Sequence, residues 1–587
     1  MSNFFKFTFA SCLGVLLSTV VLFLIGAAAI GRMVQASNPV VKLRPNTILH
    51  LQLERPIPEK TNNKAVDNFA LDTEDIVGLQ DMVRTLAYAK TDDNVKGIFL
   101  DLTGATPGNA SASVLRRALI DFKESGKFIV AWSEYYTQGT YYLASIADKI
   151  YLLPTGGMDF RGYSTQIPFL RDMLERLGIN MQVYYAGQFK SATEPFRLYK
   201  MSEQNRLQVR EYLEGLYGQF LQDIAEARDL DPYEVRRLAD EFLLRTPADA
   251  VRYGMVDAEA YYDEALQDIR DRIGLEEKDK LRRVDLEKYY SVAQTSQPTV
   301  KDRIAVVYAE GDIVMGKGEV GNIGGDRYAR IIRRLRQDKK VKAIVLRINS
   351  PGGSGMASDM IWREIELAKE AGITVVASMG DVAASGGYYI AANADAIYAE
   401  PNTITGSIGV FGLIPSIHEM LKDKVGIEFD SVKTGPYATA YTPFFDATPA
   451  EGKVMQSLVE NFYDIFLDRV AEGRQMSRDE VHKVAQGRVW TGARASQIGL
   501  VDDLGSLDDA IAAAAEKAEL DSYRIREYPL TKNPLQQYVD KFTGMDEQTK
   551  AHLFRSELGD LYPYYQQISA MKDWKGVQAR LPFTLEY

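Results

Sequence analysis

The sequence predicts an α/β protein in which one domain is written twice in tandem, preceded by a single N-terminal transmembrane helix. Three observations carry this reading. Stretches far apart in the chain match in order, "VKGIFLDL" (95–102) with "VKAIVLRI" (341–348) and "YYLASIADKIYLLP" (141–154) with "YYIAANADAIYAEP" (388–401). Within each copy, short β-branched runs alternate with amphipathic helical stretches, the pattern of largely parallel βαβ units. Residues 7–31 carry no charge at all, and about 20 apolar residues suffice to span a bilayer as a helix.

Taken in order, the first element is that apolar run. Lys6 flanks one end and Arg32 the other. The reading favoured is an uncleaved anchor with the N-terminus inside and the bulk of the chain outside. The rival is a cleaved signal peptide with a small-residue site near Ala27–Ala29 or Ala36; both export the rest. Cys12, the only cysteine, lies inside this run, so the exported part has no disulfide, thiol nucleophile or cysteine metal site. The first copy spans 45–295 and the second 300–530. Further matches are "ILHLQLERPI" (48–57) with "IAVVYAEGDI" (304–313), and "TPADAVRYGMVD" (246–257) with "TGARASQIGLVD" (491–502). The offset drifts only from 256 (48 to 304) to 245 (246 to 491), a domain-scale duplication rather than a solenoid repeat.

Strands are expected at "RIAVVYAEG", "KAIVLRIN" and "TVVASMG", and helices at "SDMIWREIELAKEAG", 200–245 and 448–485. Residues 258–302 read as a helical connector, and 531–587, rich in Tyr and Phe, as a packed C-terminal extension outside the duplication. The net charge of −11, spread without a basic block, argues against nucleic acid as a partner.

The chemistry concentrates where the copies differ. In "DVAASGGYYIA" (381–391) a serine sits at a strand-to-helix turn before two glycines; in the first copy Gln138 stands opposite Ser385, while Gly139 keeps the place of Gly386. A serine hydroxyl needs a base. "YAGQFKSATEPF" (185–196) aligns with "KTGPYATAYTPF" (433–444), which puts Lys190 opposite Ala438. One copy holds a candidate nucleophile without a lysine, the other a lysine without a nucleophile. A lysine serves as base only when neutral, which requires burial or nearby positive charge; Glu194 would oppose neutrality if it faced Lys190. The histidines His50, His418, His482 and His552 have no motif-like setting, although a Ser-His-Asp arrangement is defined only in space. "NSPGGS" (349–354) follows a strand, and its glycines leave N–H groups free for an oxyanion; Gly353 and Gly386 are the candidate donors. Pro107, at or near the position of Gly353 in the first copy, has no N–H to offer.

With "NSPGG", "AASGGYYIA", "ITGSIGV" and "KSATEPF" in this order, the chain resembles the signal peptide peptidase A family in its long, membrane-anchored form, over about residues 45–530 plus the anchor. The resemblance implies tandem Clp-protease/crotonase-like domains and a serine endopeptidase with Ser385 as nucleophile and Lys190 as general base. It also implies oxyanion binding by Gly353 and Gly386, and Ser407 of "ITGSIGV" helping to hold the lysine. No metal or cofactor is implied. The implied substrates are residual signal peptides and similar apolar peptides. The implied assembly is a homotetramer on the inner (cytoplasmic) membrane, single-pass, with its catalytic part on the periplasmic side. Two other classes remain on the table: a crotonase-like enzyme acting on acyl-CoA, disfavoured by export, and an inactive envelope scaffold of the same fold.

Overall fold

The computed structural model describes residues 43–53, 55–62, 76–104, 106–276, 279–293, 298–530 and 578–580. The expected transmembrane run 7–31 and nearly all of 531–587 lie outside the described residues. Among the described residues no helix is long and apolar enough to cross a membrane.

A six-strand sheet in the first copy is repeated within an eight-strand sheet in the second. In the first, the strand order is Ala258–Glu259, Lys149–Met158, Phe128–Tyr136, Val95–Asp101, Thr47–Gln52 and Arg282–Asp285, with every pairing parallel. The second has Thr374–Ala384, Val341–Ser350, Arg303–Glu310 and Arg524–Tyr528 side by side, again parallel. Ala396–Ala399 and Asp503–Leu504 continue it on the other side of Thr374–Ala384. Parallel sheets covered by helices are buried on both faces, and the central strands accordingly hold apolar runs: Ile304 to Ala309 are all buried, as are Ala343 to Leu346.

The expected helices form with clear boundaries. Ser202 caps Glu203–Arg228, and a Thr448/Glu451 capping box starts Pro449–Arg474. Residues 258–302 depart from the helical connector expected: they hold the helices Tyr262–Arg272 and Leu286–Ala293, but Arg282–Asp285 is a strand on the edge of the first sheet. Its sequence, RRVD, buries only Val284. Its place comes from backbone pairing with Thr47–Gln52, which leaves no apolar periodicity to read.

The two copies are bound to each other by more than sequence linkage. Arg347, on a central strand of the second sheet, makes a two-nitrogen ion pair with Glu59 of the N-terminal segment, at 2.8 and 3.2 Å, with the residues 3% and 4% exposed. The Asp381 carboxylate accepts from the Ser111 amide (2.9 Å) and Ser111 hydroxyl (2.5 Å) in the first turn of helix Asn109–Lys123. A third, mixed sheet joins both copies in the order Asn322–Gly324, Asp312–Val314, Gly352–Ser354, Gln578–Arg580, Val410–Ser416 and Asn180–Ala186. That sheet builds the site.

Candidate active site

The strand Thr374–Ala384 runs on past the short apolar run "ITVVAS" and delivers Ser385 directly to the N-terminus of helix Gly386–Ala391. The turn is tight. Ser385 has φ 56° and ψ −114°, its N–H donates to Gly406 O (2.8 Å), and its carbonyl accepts from Tyr389 N (2.8 Å). Positive φ at a non-glycine residue costs energy and persists only where the surroundings hold it. Here they hold the serine at a strand-to-helix turn, where other nucleophiles also stand.

Lys190 arrives from the other copy. The strand Asn180–Ala186 pairs antiparallel with Val410–Ser416, from Ala186 opposite Val410 to Asn180 opposite Ser416. Four residues past that strand, the Lys190 Nζ lies 2.7 Å from Ser385 Oγ, 3.1 Å from Ser407 Oγ and 3.2 Å from Ser407 O. The lysine is 1% exposed. Burial alone holds its pKa well below the usual 10.5. Glu194, the sequence neighbour that would have opposed neutrality, turns the other way. It accepts from Ser202 N (3.1 Å), Ser202 Oγ (2.5 Å) and Asn205 Nδ2 (3.0 Å) at the start of helix Glu203–Arg228.

Ser407, with φ 50°, is pinned by its own N–H donating to Arg488 O at 2.7 Å. Gly353 sits in the strand Gly352–Ser354, and Gly386 opens the helix behind Ser385. A Cβ built on Gly386 would fall 3.2 Å from Gly353 N, and one on Gly352 2.7 Å from Gly386 N. The two amides therefore lie side by side next to the serine. The structure thus brings Ser385, Lys190, Ser407, Gly353 and Gly386 into one site within one chain.

The histidines are elsewhere. His50 lies in the first sheet between Asp285 and Asp101, His418 Nδ1 is 3.1 Å from Phe444 O, His482 adjoins Tyr463, and His552 is outside the described residues. Among the described residues, Ser385 Oγ has only Lys190 Nζ and, at 3.5 Å, Gly409 O as partners.

In the first copy the corresponding positions are occupied by other contacts. The Gln138 side chain is spent on Gly162 O (3.1 Å) and Gly162 N (2.9 Å), and Thr106 Cγ2 lies 2.0 Å from where a Cβ on Gly139 would stand.

Several supporting residues carried no sequence signal. Gln208 and Asn205, buried on one helix face, hold the lysine loop through Phe189 O (3.1 Å) and Ser191 Oγ (2.8 and 2.9 Å). Gly487 (φ 77°) leaves room for the lysine backbone, because a Cβ there would meet Lys190 N at 2.6 Å. Spacing 205/208 on an amphipathic helix is the ordinary mark of a packed face, so nothing singled these residues out.

Comparison with known proteins agrees with this geometry. The family described as "Peptidase family S49" matches residues 121–276 and again 367–521, and "Clp protease" matches 295–405. "Protease 4" of Salmonella typhi is 37% identical over 474 residues, 79% of this chain and 76% of that protein. "Protease 4" of Haemophilus influenzae is 36% identical, covering 74% and 72%. "Serine protease SPPA, chloroplastic" of Arabidopsis thaliana is 31% identical, covering 82% and 71%. A duplicated Clp-protease-like α/β fold carrying such relatives defines a serine endopeptidase. The chain belongs to peptidase family S49, as its signal peptide peptidase A motifs implied.

Proposed function

We propose that this serine endopeptidase works through a Ser385/Lys190 dyad and cleaves residual signal peptides and similar apolar peptides at a membrane. The observation that carries the dyad is the 2.7 Å approach of a fully enclosed lysine amine to the Ser385 hydroxyl. A neutral amine has two N–H groups and one lone pair. Ser407 O and Ser407 Oγ take the two hydrogens, and the lone pair faces the Ser385 hydroxyl. Lys190 accepts the Ser385 proton as Oγ attacks the peptide carbonyl, and the Gly353 and Gly386 amides hold the oxyanion. Lys190 then protonates the leaving amine, and water, deprotonated by the same lysine, hydrolyses the acyl-enzyme. Ser407 is a positioning residue: it aims the amine without touching the substrate.

The signal-peptide preference is supported by the motifs shared with the signal peptide peptidase A family and by the similarity to the protein named "Serine protease SPPA". Residues 7–31 support a single-pass anchor in the cytoplasmic membrane, with the catalytic copies (45–295 and 300–530) on the periplasmic side; the homotetramer rests on the family resemblance alone. The test is cleavage of an apolar signal-peptide-like peptide by the detergent-solubilised full chain. Ser385→Ala is expected to abolish cleavage with folding intact by circular dichroism. Full activity in that variant would remove Ser385 from the mechanism and, with it, the dyad.

A further inference from the structure

The stretch 486–489 of the second copy runs between the lysine loop and the residue that aims the lysine. Gln486 O accepts from Phe189 N at 2.8 Å, and Gly487 N donates to Ile408 O at 2.7 Å. Arg488 O accepts from Ser407 N at 2.7 Å, and Val489 N donates to Gln208 Oε1 at 3.2 Å. Phe189 and Gln208 belong to the first copy, Ser407 and Ile408 to the second. One short piece of backbone is therefore bonded both to the loop that carries Lys190 and to the loop that carries Ser407.

One side chain spans the same junction. The Arg488 guanidinium carbon stands 4.9 Å from the centre of the Phe189 ring and 4.2 Å from that of Trp490. Phe189 directly precedes Lys190 and is 9% exposed. Arg488 Nη2 also pairs with Glu211, one turn beyond Gln208 on helix Glu203–Arg228. A cation over an aromatic face is attracted by the ring quadrupole, and the planar fork of arginine stacks where the point charge of lysine does not. The pair with Glu211 is open to water on the carboxylate side, so most of the hold on the loop comes from the rings. Among the described residues the Arg488 side chain bonds to neither Ser385 nor Lys190. Whatever it does to the reaction passes through Phe189.

We propose that Arg488 is a positioning residue for the cleavage: its guanidinium seats Phe189, and with it the Lys190 amine, on the backbone stretch that fixes Ser407. The inference rests on the Ser385/Lys190 reading. A reacting group misplaced by about 1 Å can cost about 10²-fold in rate. A lysine loop released from Arg488 also lets water reach the amine, and burial alone holds that amine below 10.5.

The test is steady-state cleavage of an apolar peptide by the detergent-solubilised full chain across pH. Arg488→Ala is expected to lower kcat about 10–100-fold with KM near wild type. It should also move the acid limb of kcat/KM upward by about half a pH unit or more, toward 10.5. Phe189→Leu removes the ring from the other side of the contact and is expected to give the same two changes. Glu211→Gln keeps the stack and loses only the ion pair, so kcat should stay within about threefold of wild type. In a Lys190→Met background Arg488→Ala is expected to cost nothing further, because the amine it positions is gone. An unmoved acid limb in both Arg488→Ala and Phe189→Leu would overturn the proposal. So would an Arg488→Ala loss that multiplies with that of Lys190→Met, and either result leaves the dyad standing. Wild-type kcat in Lys190→Met would instead bring down the dyad reading, and this proposal with it.

Discussion

Replacing Lys190 by methionine keeps an unbranched apolar stem of similar shape but removes the amine. The substitution deletes the 2.7 Å contact to Ser385 Oγ and both contacts to Ser407. A positioned general base contributes about 10²–10⁴-fold, and no second base stands within hydrogen-bond distance of Ser385 among the described residues. The upper part of that range applies, about 10³–10⁴-fold in kcat/KM, or about 4–5.5 kcal/mol at 1.36 kcal/mol per tenfold. Lys190 is enclosed by Ser385 and Ser407 and reaches no external ligand, so the loss belongs to kcat and KM stays near wild type. The residual rate comes from the Gly353 and Gly386 amides and from binding. The assay is steady-state cleavage of an apolar peptide by wild type, Lys190→Met, Ser385→Ala and the double variant. Because the two side chains act as a unit, the double variant is expected to be no worse than Ser385→Ala. Retention of more than a tenth of wild-type kcat in Lys190→Met, or losses that multiply in the double variant, would refute the reasoning.

Four further outcomes follow from the same geometry. Activity requires neutral Lys190, so kcat/KM should rise with pH and reach its plateau well below 10.5; a rise still under way at 10.5 would contradict the burial argument. Between its lowered folded pKa and 10.5 the unfolded chain binds one more proton than the folded one, so wild-type stability should gain about 1.4 kcal/mol per pH unit relative to Lys190→Met, read as a rise of the wild-type thermal midpoint relative to that of the variant. Ser407→Ala, which loses the 3.1 Å contact but keeps the 3.2 Å carbonyl, should lower kcat about 10–100-fold with KM unchanged. Glu59→Ala strands Arg347 inside the second copy and should cost about 3–5 kcal/mol by thermal melting, most of it recovered in Glu59→Met/Arg347→Met.

Much of the catalytic layout was legible because a duplicated sequence carries its own control. Ser385 against Gln138, and Lys190 against Ala438, mark what each copy lost, and the structure sets the two survivors 2.7 Å apart. The supporting shell was not legible. Gln208 and Asn205 look like any packed helix face, Gly487 like any turn glycine, and Arg282–Asp285 like part of a helical linker.

The sequence by itself determined the doubling of the domain, the alternation of strand and helix, the apolar N-terminal run, and which copy supplies which reactive group. These are local matters, written in side-chain type and spacing. Tertiary structure alone decided that both groups come from one chain, since Lys190 is carried across by the pairing of Asn180–Ala186 with Val410–Ser416. It decided likewise that Glu194 turns away from the lysine toward Ser202, and that Gln578–Arg580 pairs between Gly352–Ser354 and Val410–Ser416. The reason is physical: strand pairing is made by backbone N–H and C=O groups that every residue except proline carries, so a distant partner leaves no mark in the sequence until the chain is folded.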